Sequence, residues 1–134
     1  MTLADLRLDA VVLGCAVSAG IHGALVREHF EEEGAGAGFG FLVATVVLAV
    51  LAVVLTRRAT RAALAGTALV FAGLILAYAL AVTTGVPVLH PEVEAVDGVG
   101  LFSKAVEAVA LAAACSLVGG PAFGLAVRTP KEAS

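Results

Sequence analysis

GFGFLVATVVLAVLAVVL, at residues 38–55, carries no charged side chain and no proline. After the basic break TRRATR (56–61), the run AALAGTALVFAGLILAYALAV (62–82) again carries none. A helix rises about 1.5 Å per residue, so roughly 17–25 apolar residues cross the hydrocarbon core of a bilayer. Both runs have that length, and neither alternates as a membrane β-strand would. They predict two transmembrane helices joined by a tight basic turn.

Outward from this pair, 8–26 and 101–127 are apolar enough to form two more spans. The connectors at 27–37 and 83–100 contain helix breakers, among them Gly34 and Gly36 in the first and Gly85, Pro87 and Pro91 in the second. Gly119-Gly120-Pro121 marks a kink in the fourth run or the end of its helix. The expected fold is all-α, a polytopic four-transmembrane-helix bundle that makes one transmembrane domain over 1–134.

Composition agrees. Hydrophobic residues make up 60% of the 134 and charged residues only 14%, and the mean hydropathy is +1.04. A soluble domain of this size has too little interior for so much apolar surface. The few scattered basic residues exclude a nucleic-acid partner. Cys15 and Cys115 lie in apolar runs without a CxxC partner, which excludes a zinc knuckle or a thioredoxin-type pair and reads as small buried hydrophobes. Val12-Leu13-Gly14-Cys15 loosely resembles a lipobox. Asp9 interrupts the apolar core such a signal needs, however, and the run continues to Val26.

Orientation follows from Lys and Arg in short loops. Arg57, Arg58 and Arg61 make the second connector cytoplasmic, which puts both termini inside with Arg7, Arg128 and Lys131. Of the eight basic residues, only Arg27 and Lys104 then lie outside. The acids Glu28, Glu31, Glu32, Glu33, Glu92, Glu94, Asp97 and Glu107 fall on the external side. The expected location is the plasma membrane, as a multi-pass protein whose first partner is the lipid bilayer. Small residues set close helix contacts in lipid, and Gly14-xxx-Ser18, Ala16-xxx-Gly20-xxx-Ala24, Gly66 with Gly73, and Ala105, Ala108, Ala112 and Ala113 offer them.

All three histidines lie toward the external half. His22 is about 6 Å below the outer end of the first span, and Tyr78 is about 6 Å below that of the third. Glu107 is about 9 Å into the fourth span, with Lys104 one turn above it and Thr45 near the same level on the second. His22, Thr45, Tyr78, Lys104 and Glu107 thus form a candidate polar layer, because ionisable groups in hydrocarbon must face one another. If the fourth span begins nearer Ala108, Lys104 and Glu107 are instead interface residues.

Above this layer, Arg27-Glu28-His29-Phe30-Glu31-Glu32-Glu33 extends the first helix. His29 shares a face with Glu32 and Glu33 at i,i+3 and i,i+4, a spacing suited to two-point metal chelation. Imidazole and carboxylate together suit zinc or copper. The candidate ligands are His22, Glu28, His29, Glu32, Glu33 and His90, for a divalent transition metal. Haem is disfavoured, since no two histidines lie at matched depth in the core and no attachment motif is present.

The stretch Ser18-Ala-Gly-Ile-His22-Gly-Ala-Leu-Val-Arg-Glu28-His29-Phe resembles the first helix of small, mostly uncharacterised four-helix membrane proteins of high-GC bacteria. These read Gly-x-His…Leu-x-Pro-Glu-His at this point. Thr83-Thr-Gly85-Val-Pro87-Val, Glu94 and Ser103-Lys104-Ala-Val-Glu107 resemble the same group's third connector and fourth helix. Arg27 replaces the usual proline, and Gly100 the usual acid. The resemblance points to His22, Glu28, His29, Lys104 and Glu107.

Three classes of function remain open. One is a metal-binding membrane protein: a sensor, chaperone or small transporter. Another is an accessory subunit of a homo-oligomer or larger membrane complex, in which the polar layer only fixes helix register. The third, an enzyme using His22, Tyr78 and Glu107 on a lipid-soluble substrate, has no nucleophile motif behind it and ranks last. A transporter would need a polar path through the inner half, where Ser116 and the two cysteines are the main candidates.

Overall fold

The structure, a computed structural model, describes residues 1–87 and 91–120. It contains four helices and, among the described residues, no strand: α1 Leu3–Glu32, α2 Ala35–Arg57, α3 Arg61–Ala81 and α4 Gly98–Gly119. All four are long and apolar enough to cross a membrane. His90, Arg128, Lys131 and the 121–127 end of the expected fourth span lie outside the described residues.

The first helix outruns its apolar segment at both ends. At the start, Thr2 accepts from the Asp5 amide at 3.1 Å and Asp5 accepts from the Thr2 amide at 2.8 Å. This reciprocal capping box satisfies donors that a helix N-terminus otherwise leaves bare. At the far end, good helix formers carry the turn onward past Val26, and Arg27 pairs with Glu31 at 2.7 Å. The helix stops before Gly34, whose φ of 94° reverses the chain into α2. Thr60 and Asp97 cap α3 and α4 in the same side-chain-to-amide manner. α4 begins at Gly98, three residues before the expected span, and ends where Gly120 turns extended. The helix is therefore broken at Gly119-Gly120, and Pro121 lies outside the described residues.

α1 packs chiefly on α2 and α4, and α3 packs chiefly on α4. α2 and α3 meet at few residues, although a short connector joins them. The core is a column of Val11, Cys15, Leu48, Leu64, Phe71, Ala110 and Ala114. Gly14 faces Ala110 so closely that a Cβ would overlap that methyl group, so glycine is what lets α1 and α4 touch. Ser18, one turn on, lies in the same contact. The Ala16-Gly20-Ala24 row is exposed, as are Gly73, Ala105, Ala108 and Ala112, so those small residues do not make the interfaces. Large apolar side chains also face outward: Leu69 is 75% exposed, Val109 64% and Leu13 63%. Apolar surface on that scale suits lipid rather than water.

The bundle's two ends differ in charge. Arg7, Arg57, Arg58 and Arg61 lie at the end holding the first residue of α1 and the last of α4, where Arg61 donates to the Gly120 carbonyl at 3.4 Å. The opposite end carries Glu28, Glu31, Glu32, Glu33, Glu92, Glu94 and Asp97.

Candidate functional site

Glu107 is the most deeply buried charged side chain among the described residues, at 0% exposure. Its position on α4 turns it toward α1, one turn beyond Ser103. Oε1 accepts from Ser18 on α1 at 2.7 Å and from Ser103 at 3.1 Å. Oε2 pairs with Lys104 Nζ at 2.6 Å. A carboxylate out of water requires a counter-charge and filled lone pairs, and this one has both. Lys104 also stands 5.7 Å from the centroid of the Tyr78 ring.

His22 completes the chain on α1. Its Nδ1 lies 2.8 Å from the Ser18 carbonyl and 3.3 Å from Ser18 Oγ. The single Ser18 hydroxyl proton goes to Glu107, so Oγ can only accept from the ring. Both contacts therefore put a proton on Nδ1. His29 repeats the arrangement one heptad on, with Nδ1 2.9 Å from the Leu25 carbonyl. Its Nε2 faces Glu33 Oε1 at 3.6 Å. Phe41 of α2 stacks on His29 at 3.5 Å between ring centroids and tilts against His22 at 5.1 Å. One aromatic ring thus fixes the plane of both imidazoles.

A separation of 3.6 Å is too long for a hydrogen bond. It is close to the ~3.4 Å between two donors that each sit about 2.1 Å from one tetrahedral ion. An Nδ1–H bound to a backbone carbonyl is also how metal-ligating histidines are oriented. His29 and Glu33 therefore fit a two-point cation grip. Among the described residues, no three His, Cys, Asp or Glu side chains converge on a common ion position.

The two histidines line a cavity of about 240 Å³ with Glu33, Phe41, Tyr78, Glu94, Asp97, Ser103 and Lys104. A wider depression of about 620 Å³ adjoins it, lined by Glu28, His29, Glu33, Glu94 and Asp97. The connector is held there by the Glu94 amide, which donates to the Ala81 carbonyl at 2.9 Å. Asp97 Oδ1 caps α4 through the Gly100 amide at 2.7 Å.

Of the expected polar layer, His22, Lys104 and Glu107 belong to one network, and Tyr78 flanks it. Thr45 lies opposite Gly23 and donates to the Phe41 carbonyl of its own helix at 2.8 Å. Of the expected ligands, His29 and Glu33 are adjacent, His22 lines the same cavity and Glu28 the outer depression. Glu32 is exposed and lines neither. Cys15 is buried in the core whereas Cys115 is exposed, so the bundle does not bring the two into one buried path. Ser18, Ser103 and Phe41 were not among the expected site residues. The signal for both serines is present in the sequence, because each stands one helical turn before an ionisable residue. Comparison of the chain with protein-family models, with curated proteins and with solved structures finds no match.

Proposed function

We propose that this is a multi-pass plasma-membrane protein whose acidic end faces outward and binds a divalent transition metal such as zinc or copper. His29 and Glu33 are the anchoring ligands, with Glu28 and either His22 or His90 to complete the shell. The observation that carries this reading is the tethering of His29 Nδ1 to the Leu25 carbonyl, which leaves Nε2 facing Glu33 Oε1 at 3.6 Å. The surrounding carboxylates add charge attraction and oxygen donors. The basic residues gathered at the opposite end support the orientation, by the excess of Lys and Arg expected in cytoplasmic loops.

Isothermal calorimetry on detergent-purified protein tests the reading. Zn²⁺ should bind well ahead of Ca²⁺, and about tenfold or more more weakly in His29→Ala and in Glu33→Gln. Binding should weaken as pH is lowered, because protons compete for the imidazole. Uptake that is unchanged in His29→Ala, or that favours Ca²⁺ equally, contradicts it.

A second reading, an accessory subunit, draws on a different observation. The Glu107 network is closed and joins α1 to α4, which is what a register-fixing device requires. Both roles are compatible in one bundle.

A further inference from the structure

The interior of the 240 Å³ cavity, below the acidic mouth, has a chemistry of its own. All four helices line it, and α2 and α3 contribute Gly40, Phe41, Ala44, Leu74, Ala77 and Tyr78. Of the packed helix pairs, α2 and α3 meet least. The volume lies just under the ~300–1,000 Å³ usual for drug-sized ligands, so it suits a smaller molecule.

The polar groups around this space are nearly all engaged. Glu107 takes three hydrogen bonds, Lys104 is committed to it, and the Nδ1 atoms of both histidines are tied to backbone carbonyls. The Tyr78 hydroxyl differs. It is buried and has no hydrogen-bond partner among the described residues. Its ring lies against Gly100, where a Cβ would come within 2.8 Å of Cε2 and 3.0 Å of the hydroxyl. Glycine there leaves space for the ring in this pose but supplies it no acceptor. A buried donor left without a partner costs roughly 1–3 kcal/mol, and an incoming acceptor would recover part of that.

Charge narrows the ligand class. Glu33, Glu94 and Asp97 at the rim disfavour an anion. Lys104, already 5.7 Å from the Tyr78 ring centroid, disfavours a cation deeper in. We propose that the cavity binds a small, neutral, lipid-soluble molecule with a carbonyl oxygen that accepts the Tyr78 hydroxyl proton in a hydrogen bond. Its apolar body rests on Phe41, Leu74 and the alanines of α2 and α3.

The chain has one tyrosine and no tryptophan, so its intrinsic emission reports on Tyr78 alone. Camphor, a compact neutral ketone, is titrated into the full chain in detergent with chelator present, which separates this site from any metal binding. Bornane, camphorsulfonate and bornylamine serve as acceptor-free, anionic and cationic counterparts. Camphor should change the emission saturably, and the other three should not. By calorimetry, Tyr78→Phe should bind camphor about fivefold more weakly, the loss of one neutral hydrogen bond. Gly100→Ala, which pushes a methyl group into the ring, should also weaken it. Circular dichroism confirms that the variants compared are folded. Equal binding of bornane, preference for either charged analogue, or undiminished camphor affinity in Tyr78→Phe overturns the proposal.

Discussion

Glu107 shows how a charge is kept inside an apolar bundle. Its oxygens are filled by two hydroxyls and one ammonium, drawn from α1 and from its own helix. Removing one member of such a pair strands the other, whereas replacing both with apolar groups is often close to neutral. Glu107→Leu is therefore expected to destabilise the protein by about 2–4 kcal/mol, because Lys104 is left uncompensated. The double variant Lys104→Met/Glu107→Leu should regain most of that. Unfolding in mixed detergent checks both, and an indifferent Glu107→Leu would mean that the residue is not buried. His22 reaches Glu107 only through Ser18. His22→Leu and Glu107→Leu should accordingly couple by more than about 0.5 kcal/mol, and the coupling should vanish in a Ser18→Ala background. The depth of these residues was legible from helical rise alone. Their rotation about the axis was not, because a helix apolar on every side has no polar face to fix it. Thr45 illustrates the gap: it stands near the level of the network but turns to its own backbone. Ser18 and Ser103 were hidden for another reason, since serine in a membrane helix also reads as a small packing residue.

At the scale of elements, α1 has two roles. Its 30 residues span about 45 Å, against roughly 30 Å of hydrocarbon. The excess places His29 and Glu33 beyond the apolar run while His22 stays within it. Both histidines lie on the same helix face, against Phe41. That the apolar runs mark the helices, and that charge carries the first one onward, follows from composition and spacing. Which small residues form the contacts does not, because Gly14-xxx-Ser18 and Ala16-xxx-Gly20-xxx-Ala24 look equivalent in one dimension. Packing distinguishes them: Gly14 lies against Ala110, and Gly20 has nothing within 4 Å of where a Cβ would be. Gly14→Ala should cost about 1–3 kcal/mol through overpacking, and Gly20→Ala should be nearly neutral. Adding Ala110→Gly to Gly14→Ala should restore stability by returning the lost space. A thermal-unfolding series over these variants tests the α1–α4 contact, and equal effects at Gly14 and Gly20 would refute it.

For the whole molecule, the decisive feature is the separation of charge between the ends of an apolar bundle. The end with Arg57, Arg58 and Arg61 holds the helix termini and the tight connector. The other end holds the acidic connectors, the two histidines and both cavities. Four crossings put the described candidate site residues in the half of the bundle nearer one membrane surface, and the proposed orientation, drawn from the distribution of Lys and Arg, makes that surface the outer one. Any external metal or ligand reaches the site only if this orientation is right. The direct test is labelling of intact cells with a membrane-impermeant maleimide, using Ala35→Cys at the start of α2 and Ala59→Cys in the connector between α2 and α3. The account predicts rapid labelling at 35, with labelling at 59 appearing only after the membrane is permeabilised. Labelling at 59 in intact cells, with 35 protected, would contradict it.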